Sequence, residues 1–379
     1  MTPRLIYRCV LLFVWMFAAL LAPAAYAQVT PAAGYTPPDD TPSIKVGATI
    51  FADYTYNKDP VTKDADGNDI HADSFNVSRA YINITGNISH MIAFRITPDV
   101  TRETFVSPSG AVPPIPALAV SGSLVFRLKY AFAQFNLDDW MTHGSWVRFG
   151  IQQTPIVDYT EQIYRYRFQG TVFYEREGFL TSSDAGVSFH YNFAKNFGDV
   201  HVGYYNGDGY SKPEANNQQA VQIRGTVRPF ATATPVLRGL RITGFYDGDN
   251  YVKSDEKTRA AFQATFEHKY VNAGYDYLHT KDQPLAVSPT LTGNGYSFWF
   301  TPKSTVGVEG LFRYDHYTPN TDFDSRTRHR TIVGVAYWFK HQGNVSTALL
   351  LDYDAADFDR LVPPAPKQNK IALHGLVNF

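Results

Sequence analysis

The chain has 379 residues, of which 44% are hydrophobic and 15% aromatic, and its formal net charge is −1. So small a net charge identifies no partner by itself, and no basic stripe suited to nucleic acid is present. The single cysteine, Cys9, lies close to the N-terminus, so a disulfide framework and a thiolate metal site are excluded from the rest of the chain.

The first 27 residues have the pattern of a secretory signal peptide. Arg4 and Arg8 precede an apolar run, and Ala25-Tyr26-Ala27 matches a small-residue cleavage site. The run is too short for a membrane anchor helix. Cleavage would remove two of the 34 basic residues and none of the 35 acidic ones, which leaves a net charge of −3. Residues 28–43, rich in Pro and Ala, are expected to form a short periplasmic lead-in.

Residues 44–379 divide into about sixteen segments in which polar and apolar residues alternate. This period of two is typical of β-strands with one polar and one apolar face. No segment after residue 27 approaches the ~18 consecutive apolar residues of a transmembrane helix. The predicted strands are 44–56, 74–88, 91–104, 123–137, 145–153, 181–194, 199–206, 220–230, 238–247, 258–269, 271–280, 293–301, 304–316, 328–340, 344–354 and 369–379.

The connections between these segments alternate between short turns and long polar loops. Short periplasmic turns and longer external loops are typical of outer-membrane barrels. The sequence therefore predicts an all-β fold, a transmembrane antiparallel β-barrel of about sixteen strands. A soluble secreted β-sandwich is the alternative, although it gives no reason for so regular an alternation.

Aromatic residues concentrate near the predicted strand ends. Trp140, Trp146, Trp299 and Trp338 lie at or beside short turns, and seven tyrosines lie near the long loops. Girdles of aromatic residues at both membrane interfaces would have this distribution. The tyrosines are Tyr54, Tyr56, Tyr204, Tyr205, Tyr246, Tyr314 and Tyr353.

Within each strand, the alternation assigns side chains to the lipid or to the interior. Apolar residues, including Leu124, Phe126, Leu128, Tyr130 and Phe132 in one strand, are predicted to face lipid. The polar interior of a barrel this wide predicts a water-filled channel. Inward cations are predicted at Arg79, Arg95, Arg127, Lys129, Arg148, Arg224, Arg228, Arg313 and Arg330, and inward acids at fewer positions, chiefly Asp99, Glu309 and Asp352.

Rings of Arg and Lys along a pore favour anions, so these residues predict a modest anion preference. The alternative is that the arginines pair with nearby acids or only stiffen the wall.

The longest loop, 154–180, contains Arg165, Arg167 and Arg176 among several tyrosines. It is too aromatic for a disordered loop, so we expect it to pack against another surface. The inner wall of the barrel is the nearest, which would make this loop a constriction. Packing over the rim or against a neighbouring subunit is the alternative.

The last strand ends at Phe379, with Val377 on the same face. An aromatic terminus with an aliphatic residue two positions earlier resembles the C-terminal signature of bacterial outer-membrane barrels. The resemblance implies that Phe379 and Val377 serve as an assembly signal for the outer-membrane assembly machinery.

Two further segments resemble one porin family. The segment 75–86 (FNVSRAYINITG) is similar to the second strand of the phosphate-selective porins O and P. The segment 148–155 (RFGIQQTP), followed by Glu175-Arg176, is similar to that family's fifth strand and constriction loop. The resemblance implies a trimeric sixteen-stranded porin in which the third loop folds inward and basic side chains guide anions.

Two sharper hypotheses have weaker support. Asp64 to Asp69 carries alternating carboxylates, but Asp69 and Phe75 stand where a calcium-binding EF-hand needs Gly and Glu. Ser188 and His190, with Asp184 nearby, could belong to a lipid-modifying barrel enzyme, but no nucleophile elbow accompanies them.

The sequence therefore predicts a homotrimeric outer-membrane porin for passive diffusion of small hydrophilic solutes, with a modest preference for anions such as phosphate. No chemical step, metal or cofactor is needed. A channel specific for a sugar or an organic acid is the alternative, favoured if aromatic residues line the constriction.

Overall fold

The computed structural model describes residues 40–102, 123–212, 214, 217–233, 235–251, 253, 255–322, 327–341, 343, 345–359 and 365–379. The predicted signal peptide, 1–27, lies outside the described residues. So do residues 28–39 of the predicted lead-in and the whole of the loop 105–122.

Sixteen strands form one closed antiparallel barrel, in which each strand pairs with its neighbours in the chain. The predicted fold class is confirmed, and the ends of the predicted strands agree with the observed ones to within four residues. The barrel strands are β1 (Ser43–Asp59), β4 (Asp73–Asn87), β5 (Ile92–Arg102), β6 (Leu124–Asn136), β7 (Trp146–Gln153), β8 (Ser183–Asn192), β9 (Gly198–Tyr205), β10 (Ala220–Val227), β11 (Leu240–Asn250), β12 (Glu256–His268), β13 (Val271–Asp282), β14 (Leu291–Pro302), β15 (Val308–Thr318), β16 (Arg328–Trp338), β17 (Ser346–Phe358) and β18 (Gln368–Asn378).

The first and last strands close the barrel. Thr49 of β1 is opposite Asn378 of β18, and the pairing continues along both strands. Beyond Asn378, the backbone N–H of Phe379 donates to the carbonyl of Ala48, and the N–H of Ala48 donates to the carbonyl of Phe379, both at 3.0 Å. Closure gives every strand of the described barrel a neighbour on both sides, because an unpaired strand edge in lipid would be energetically costly.

The connections fall at two ends of the barrel, which we call the short-turn end and the long-loop end. The first long connection contains a small hairpin of β2 (Thr62–Lys63) and β3 (Asp69–Ile70). Its turn is ordered by Asp64, whose Oδ1 accepts hydrogen bonds from the backbone N–H groups of Asp66 and Asn68, each at 2.9 Å. Asp64 therefore serves as a turn residue.

The longest connection, between β7 and β8, holds two helices, Val157–Tyr164 and Phe173–Arg176. Among the residues that the structure describes, no helix combines the length and the apolar character needed to cross a membrane.

Burial alternates along the strands as the sequence predicts. In β10, Val221, Ile223 and Val227 are exposed on the outer face, whereas Gln222 and Arg224 are buried inside. The same division holds in β15 and at the end of β18, where Val377 and Phe379 face outward. The outer surface is thus an apolar band and the interior is polar, as expected of a barrel surrounded by lipid.

Strand β6 departs from this alternation. Phe126 and Leu128 face outward as predicted, but Tyr130 and Phe132 are buried inside, so their predicted lipid-facing orientation is wrong. The reason is a β-bulge: Thr97 pairs with Tyr130 and Pro98 with Leu128, which leaves Lys129 as an extra residue. One extra residue reverses the phase of every side chain that follows it.

The predicted tryptophan girdle is also wrong for three of its four members. Trp146 and Trp299 are 3% and 2% exposed and point inward, and Trp338 packs against the aromatic side chains of the longest loop. Only Trp140, in a short turn, has a largely exposed side chain among the four. The tryptophans lie at the short-turn end as predicted, but strand phase directs three of them inward.

Candidate functional site

The longest loop packs inside the barrel against one wall. Ile156 and Tyr164 of the loop are buried in a cluster with Leu278, Trp299 and Ile332, which lie on inward faces of β13, β14 and β16. This apolar contact removes the loop's hydrophobic side chains from water and holds the loop on the wall.

Buried hydrogen bonds fix the same loop to the wall. The Tyr174 hydroxyl donates to Oδ1 of Asp276 at 3.0 Å, and both side chains are at most 2% exposed. Nη1 of Arg313 donates to the carbonyl of Thr171 at 2.8 Å. Polar anchors of this kind specify a unique position, because an unmade buried hydrogen bond costs about 1–3 kcal/mol.

Opposite this wall, a cavity of about 560 Å³ separates the first loop helix from strands β1, β4, β5 and β6. Both sides of the cavity carry charged groups. Arg95 and Lys129 project from the barrel, whereas the loop contributes two acids and two further cations. The charged lining residues are Arg95, Lys129, Arg165, Arg167, Asp158 and Glu161.

A second cavity, of about 370 Å³, lies nearer the long-loop end. Phe51, Arg167 and Phe168 line both cavities, so these three side chains lie between the two. The space beside the loop therefore includes two adjacent chambers, and we call the position of these three side chains the waist. The charged lining of the second chamber comprises Arg79, Arg167, Lys370 and Asp53, together with His374.

Arg167, at the waist, is held by two carboxylates of its own loop. Its Nε lies 2.5 Å from Glu161 and its Nη2 lies 3.4 Å from Glu175. Burial by itself would lower the pKa of the guanidinium, but Glu161 and then Glu175 outweigh burial and hold the pKa above its ordinary range. Arg167 is therefore a fixed positive charge at the waist.

Eight of the twelve predicted pore cations form ion pairs. Arg79 and Arg127 share Asp99, and Arg165 lies 3.3 Å from Glu309. The remaining pairs are Arg167 with Glu161 and Glu175, Arg176 with Asp315, Arg224 with Asp199, Arg313 with Asp315 and Arg330 with Asp354.

The other four, Arg95, Lys129, Arg148 and Arg228, have no carboxylate oxygen within 4 Å among the described residues. Three of them contact aromatic rings instead, and two of these rings, Tyr130 and Phe132, lie on the inside because of the bulge at Lys129. Arg95 lies 4.4 Å from the ring centroid of Tyr130, and Lys129 donates to the Tyr81 hydroxyl at 3.2 Å.

Arg148 lies 3.8 Å from the ring centroid of Trp146 and 4.6 Å from that of Phe132. Its guanidinium also donates to Gln134 and Gln153, at 2.8 and 3.0 Å. Neutral partners of this kind hold a cation in place without cancelling its charge.

Inward acids are more numerous than the sequence predicts. Besides Asp99, Glu309 and Asp352, the buried carboxylates on strands include eight others. One of them, Asp315, lies two residues from the predicted cation Arg313 and so shares its face. The additional buried acids are Asp184, Asp199, Asp247, Asp249, Glu267, Asp276, Asp315 and Asp354.

The Ser188 and His190 pair does not form a relay. The Ser188 hydroxyl donates to Oε1 of Gln152 at 2.6 Å, and Nε2 of His190 lies 3.2 Å from Asp199. These side chains, both in the part of the chain that the structure describes, make no hydrogen bond to each other, so the pair lacks the nucleophile–base hydrogen bond of a serine hydrolase.

The strongest similarities of this chain are structural. No family model and no curated protein matches the sequence. An anion-selective porin from Comamonas acidovorans is similar, with 12% identity, coverage of 89% of this chain and 100% of that one, and a TM-score of 0.59. OmpF of Salmonella typhi, in complex with daunomycin, has 12% identity, coverage of 89% and 97%, and a TM-score of 0.57.

The outer-membrane channel DcaP of Acinetobacter baumannii has 11% identity, coverage of 92% of this chain and 100% of that one, and a TM-score of 0.55. Identities this low establish the fold alone. The chain therefore has the sixteen-stranded fold of the outer-membrane porins, which is the fold of an integral outer-membrane protein.

Proposed function

We propose that the chain forms a water-filled channel for passive diffusion of small hydrophilic solutes, with a modest preference for anions such as phosphate. The observation that carries the proposal is the excess of positive charge lining both chambers. Four basic side chains and two acids line the first chamber, and three basic side chains and one acid line the second. Such an excess attracts anions and repels cations from the passage.

Because most inward arginines are ion-paired, the preference rests mainly on the cations whose partners are neutral. Arg95 and Lys129 line the first chamber without a carboxylate within 4 Å among the described residues. The opposing acid Asp158 accepts a hydrogen bond from Gln162 at 2.8 Å. A solute in this chamber lies between a basic wall and a loop face that carries two acids and two cations, which favours anions modestly.

The loop serves as the constriction in this proposal. Arg165 and Arg167 line the chambers, whereas Arg176 is bound to Asp315 and does not border either one. We assign Arg165 and Arg167 to contact with solute and Arg176 to anchoring the loop. The name of the anion-selective porin among the similar folds, and the resemblance to phosphate-selective porins, support the anion preference.

The exterior of the barrel fits the remaining parts of the proposal. The apolar outer band contacts membrane lipid, and Phe379 with Val377 provides the signal that the outer-membrane assembly machinery recognises.

A homotrimer is the oligomer that the porin fold leads us to expect. Chemical cross-linking in detergent tests this, because a band no larger than the monomer would contradict it.

Planar-bilayer recording under a gradient of potassium chloride tests the channel directly. We expect discrete conducting steps and a reversal potential on the anion side. Absence of steps would refute the channel, and a reversal potential on the cation side would refute the anion preference.

Replacing Arg165 and Arg167 with Ala tests the constriction. Removing Arg167 leaves Glu161 and Glu175 without their shared cation, so we expect higher conductance and a shift toward cations. Lys195→Ala, which removes a charge from an exposed short turn, is the matched control. If the double variant behaves like the control, the loop does not form the constriction.

A channel specific for organic anions is the second candidate. Tyr81, Tyr130, Phe168 and Trp338 line the same chamber as Arg95 and Lys129, so the lining offers ring surfaces beside positive charge. A carboxylate attached to an aromatic ring would use both features. Benzoate that blocks chloride current more strongly than phosphate does would favour this candidate, and the reverse order would favour the first.

A further inference from the structure

Two histidines oppose each other on the outer face of the barrel, near the long-loop end. His316 of β15 is directly opposite His329 of β16, and their Nδ1 atoms lie 3.2 Å apart. The hydroxyl oxygen of Tyr314 lies 2.9 Å from Nδ1 of His329. Tyr296 stacks on the His316 ring, with centroids 4.9 Å apart and planes inclined by 17°. Three potential ligand atoms therefore converge at a position remote from both chambers.

The other ring nitrogen of His329 also has hydrogen-bond partners. Its Nε2 lies 3.2 Å from Oδ2 of Asp359 and 3.0 Å from Oγ1 of Thr327. A carboxylate at one ring nitrogen holds the proton there and leaves a lone pair on the other nitrogen. The lone pair at Nδ1 of His329 then points toward His316 and Tyr314. This carboxylate–histidine arrangement is the usual support of a metal-binding imidazole.

The spacing of the two nitrogens suits a single metal ion. Nitrogen ligands lie about 2.0–2.1 Å from Zn²⁺, so two of them at a tetrahedral angle are about 3.3 Å apart. The observed 3.2 Å differs little from that separation. Imidazole and phenolate ligands select borderline transition metals and not Mg²⁺ or Ca²⁺, which prefer several carboxylate and carbonyl oxygens.

We propose that His316 and His329 bind one borderline divalent transition-metal ion, such as Zn²⁺ or Cu²⁺, through their Nδ1 atoms, with Tyr314 as a third ligand. Within the described residues, no group of three His, Cys, Asp or Glu side chains has metal-binding geometry, so this site rests on two histidines and a phenol. Solvent completes the coordination. The Asp359 side chain is 59% exposed, so an ion reaches the site from the aqueous side.

Equilibrium dialysis of the tag-free, folded protein in detergent against Zn²⁺ tests the site. We expect one saturable Zn²⁺ per chain, and at least a ten-fold loss of affinity in His316→Ala and in His329→Ala. Asp359→Asn should weaken binding by about 10–100-fold, since it removes the carboxylate behind the ligand. His279→Ala is the matched control, because His279 is another outward histidine but its Nδ1 lies 2.7 Å from Asn294.

Electron paramagnetic resonance of bound Cu²⁺ provides a second readout. In the wild-type protein, hyperfine coupling to two imidazole nitrogens should split the Cu²⁺ signal. Heat-modifiable migration in gel electrophoresis verifies that each variant is a folded barrel. Absence of saturable Zn²⁺ binding, or binding that is unchanged in both histidine variants, would overturn the proposal. The two histidines would then form only a hydrogen-bonded pair.

Discussion

The basic wall of the first chamber can be tested by removing one charge at a time. Lys129→Gln keeps a polar group near the Tyr81 hydroxyl but eliminates the positive charge. Arg95→Gln likewise replaces a positive charge with a neutral polar group, on the neighbouring strand. Lys195→Gln removes an equal charge from an exposed short turn and is the control. All three variants keep the length of the chain and the strand register.

The size of the effect follows from the size of the chamber. A sphere of about 560 Å³ has a radius of ~5 Å, so an ion at its centre lies ~5 Å from charges on its wall. In water, two unit charges at that distance interact by ~0.8 kcal/mol. Screening in 0.1 M salt, where the Debye length is ~10 Å, reduces this to ~0.5 kcal/mol.

An anion gains this energy and a cation loses it, so each wall charge changes their relative free energy by ~1 kcal/mol, which is ~5-fold in the permeability ratio. We expect Lys129→Gln and Arg95→Gln each to lower the chloride-to-potassium permeability ratio by ~5-fold at 0.1 M salt, and by less at 1 M. Reversal potentials in planar bilayers measure this ratio. A ratio that matches the Lys195→Gln control at both salt concentrations would refute the reasoning.

Three further outcomes follow from contacts described above. Tyr174→Phe removes the hydroxyl that donates to buried Asp276, so we expect the loop to be held less firmly, by about 1–3 kcal/mol, and the single-channel current to be noisier. Tyr277→Phe, on the outer face, is the control. Equal current noise in the two variants would contradict the anchoring role. His90, in a short turn, contacts Asp40 at 2.6 Å and Asp139 at 3.0 Å, and these hydrogen bonds, chiefly that to Asp40, raise its pKa. Because the pKa is raised, the pairing stabilises the folded state fully at a pH below the ordinary value near ~6.5, and this stabilisation is lost as the pH rises through the raised value. An NMR titration should therefore show a higher pKa for His90 in the wild type than in Asp40→Asn. Equal pKa values would exclude this pairing. Deleting Phe379 removes both backbone hydrogen bonds to Ala48, so the yield of heat-modifiable barrel should fall, while the conductance of correctly folded channels should stay unchanged. A normal yield would show that closure of the barrel does not need this residue.

The barrel could be predicted because its local rules are strict. Lipid outside and water inside impose a two-residue period on every strand, so Val221 and Arg224 identify their faces without knowledge of their neighbours. The same two-residue period also identifies inward-facing residues that the sequence predictions did not assign to the interior. Trp146 shares the phase of Arg148, and Asp315 shares that of Arg313, so their inward orientation follows from spacing alone.

Other features depend on contacts between distant parts of the chain. The bond from Tyr174 to Asp276 joins residues 102 positions apart, and no local pattern identifies such a partner. The waist between the chambers is similar, because Phe51 of the first strand meets Arg167 and Phe168 of the loop only after the barrel closes. Sequence indicated that the loop packs against a surface, but the wall that receives it is determined by the complete fold.

The bulge at Lys129 gives strand β6 a place where its length can change without turning either half over. Residue numbers before the bulge follow one phase and residue numbers after it follow the other, because Lys129 is one extra residue between Leu128 and Tyr130. Deleting Lys129 would therefore leave a continuous ladder in which Leu128 still faces lipid and Tyr130 still faces the interior. A deletion far from the bulge, such as that of Ala133, would instead turn Gln134 and Asn136 toward lipid. The strand can thus lose one residue, and with it one pore charge, at the bulge alone.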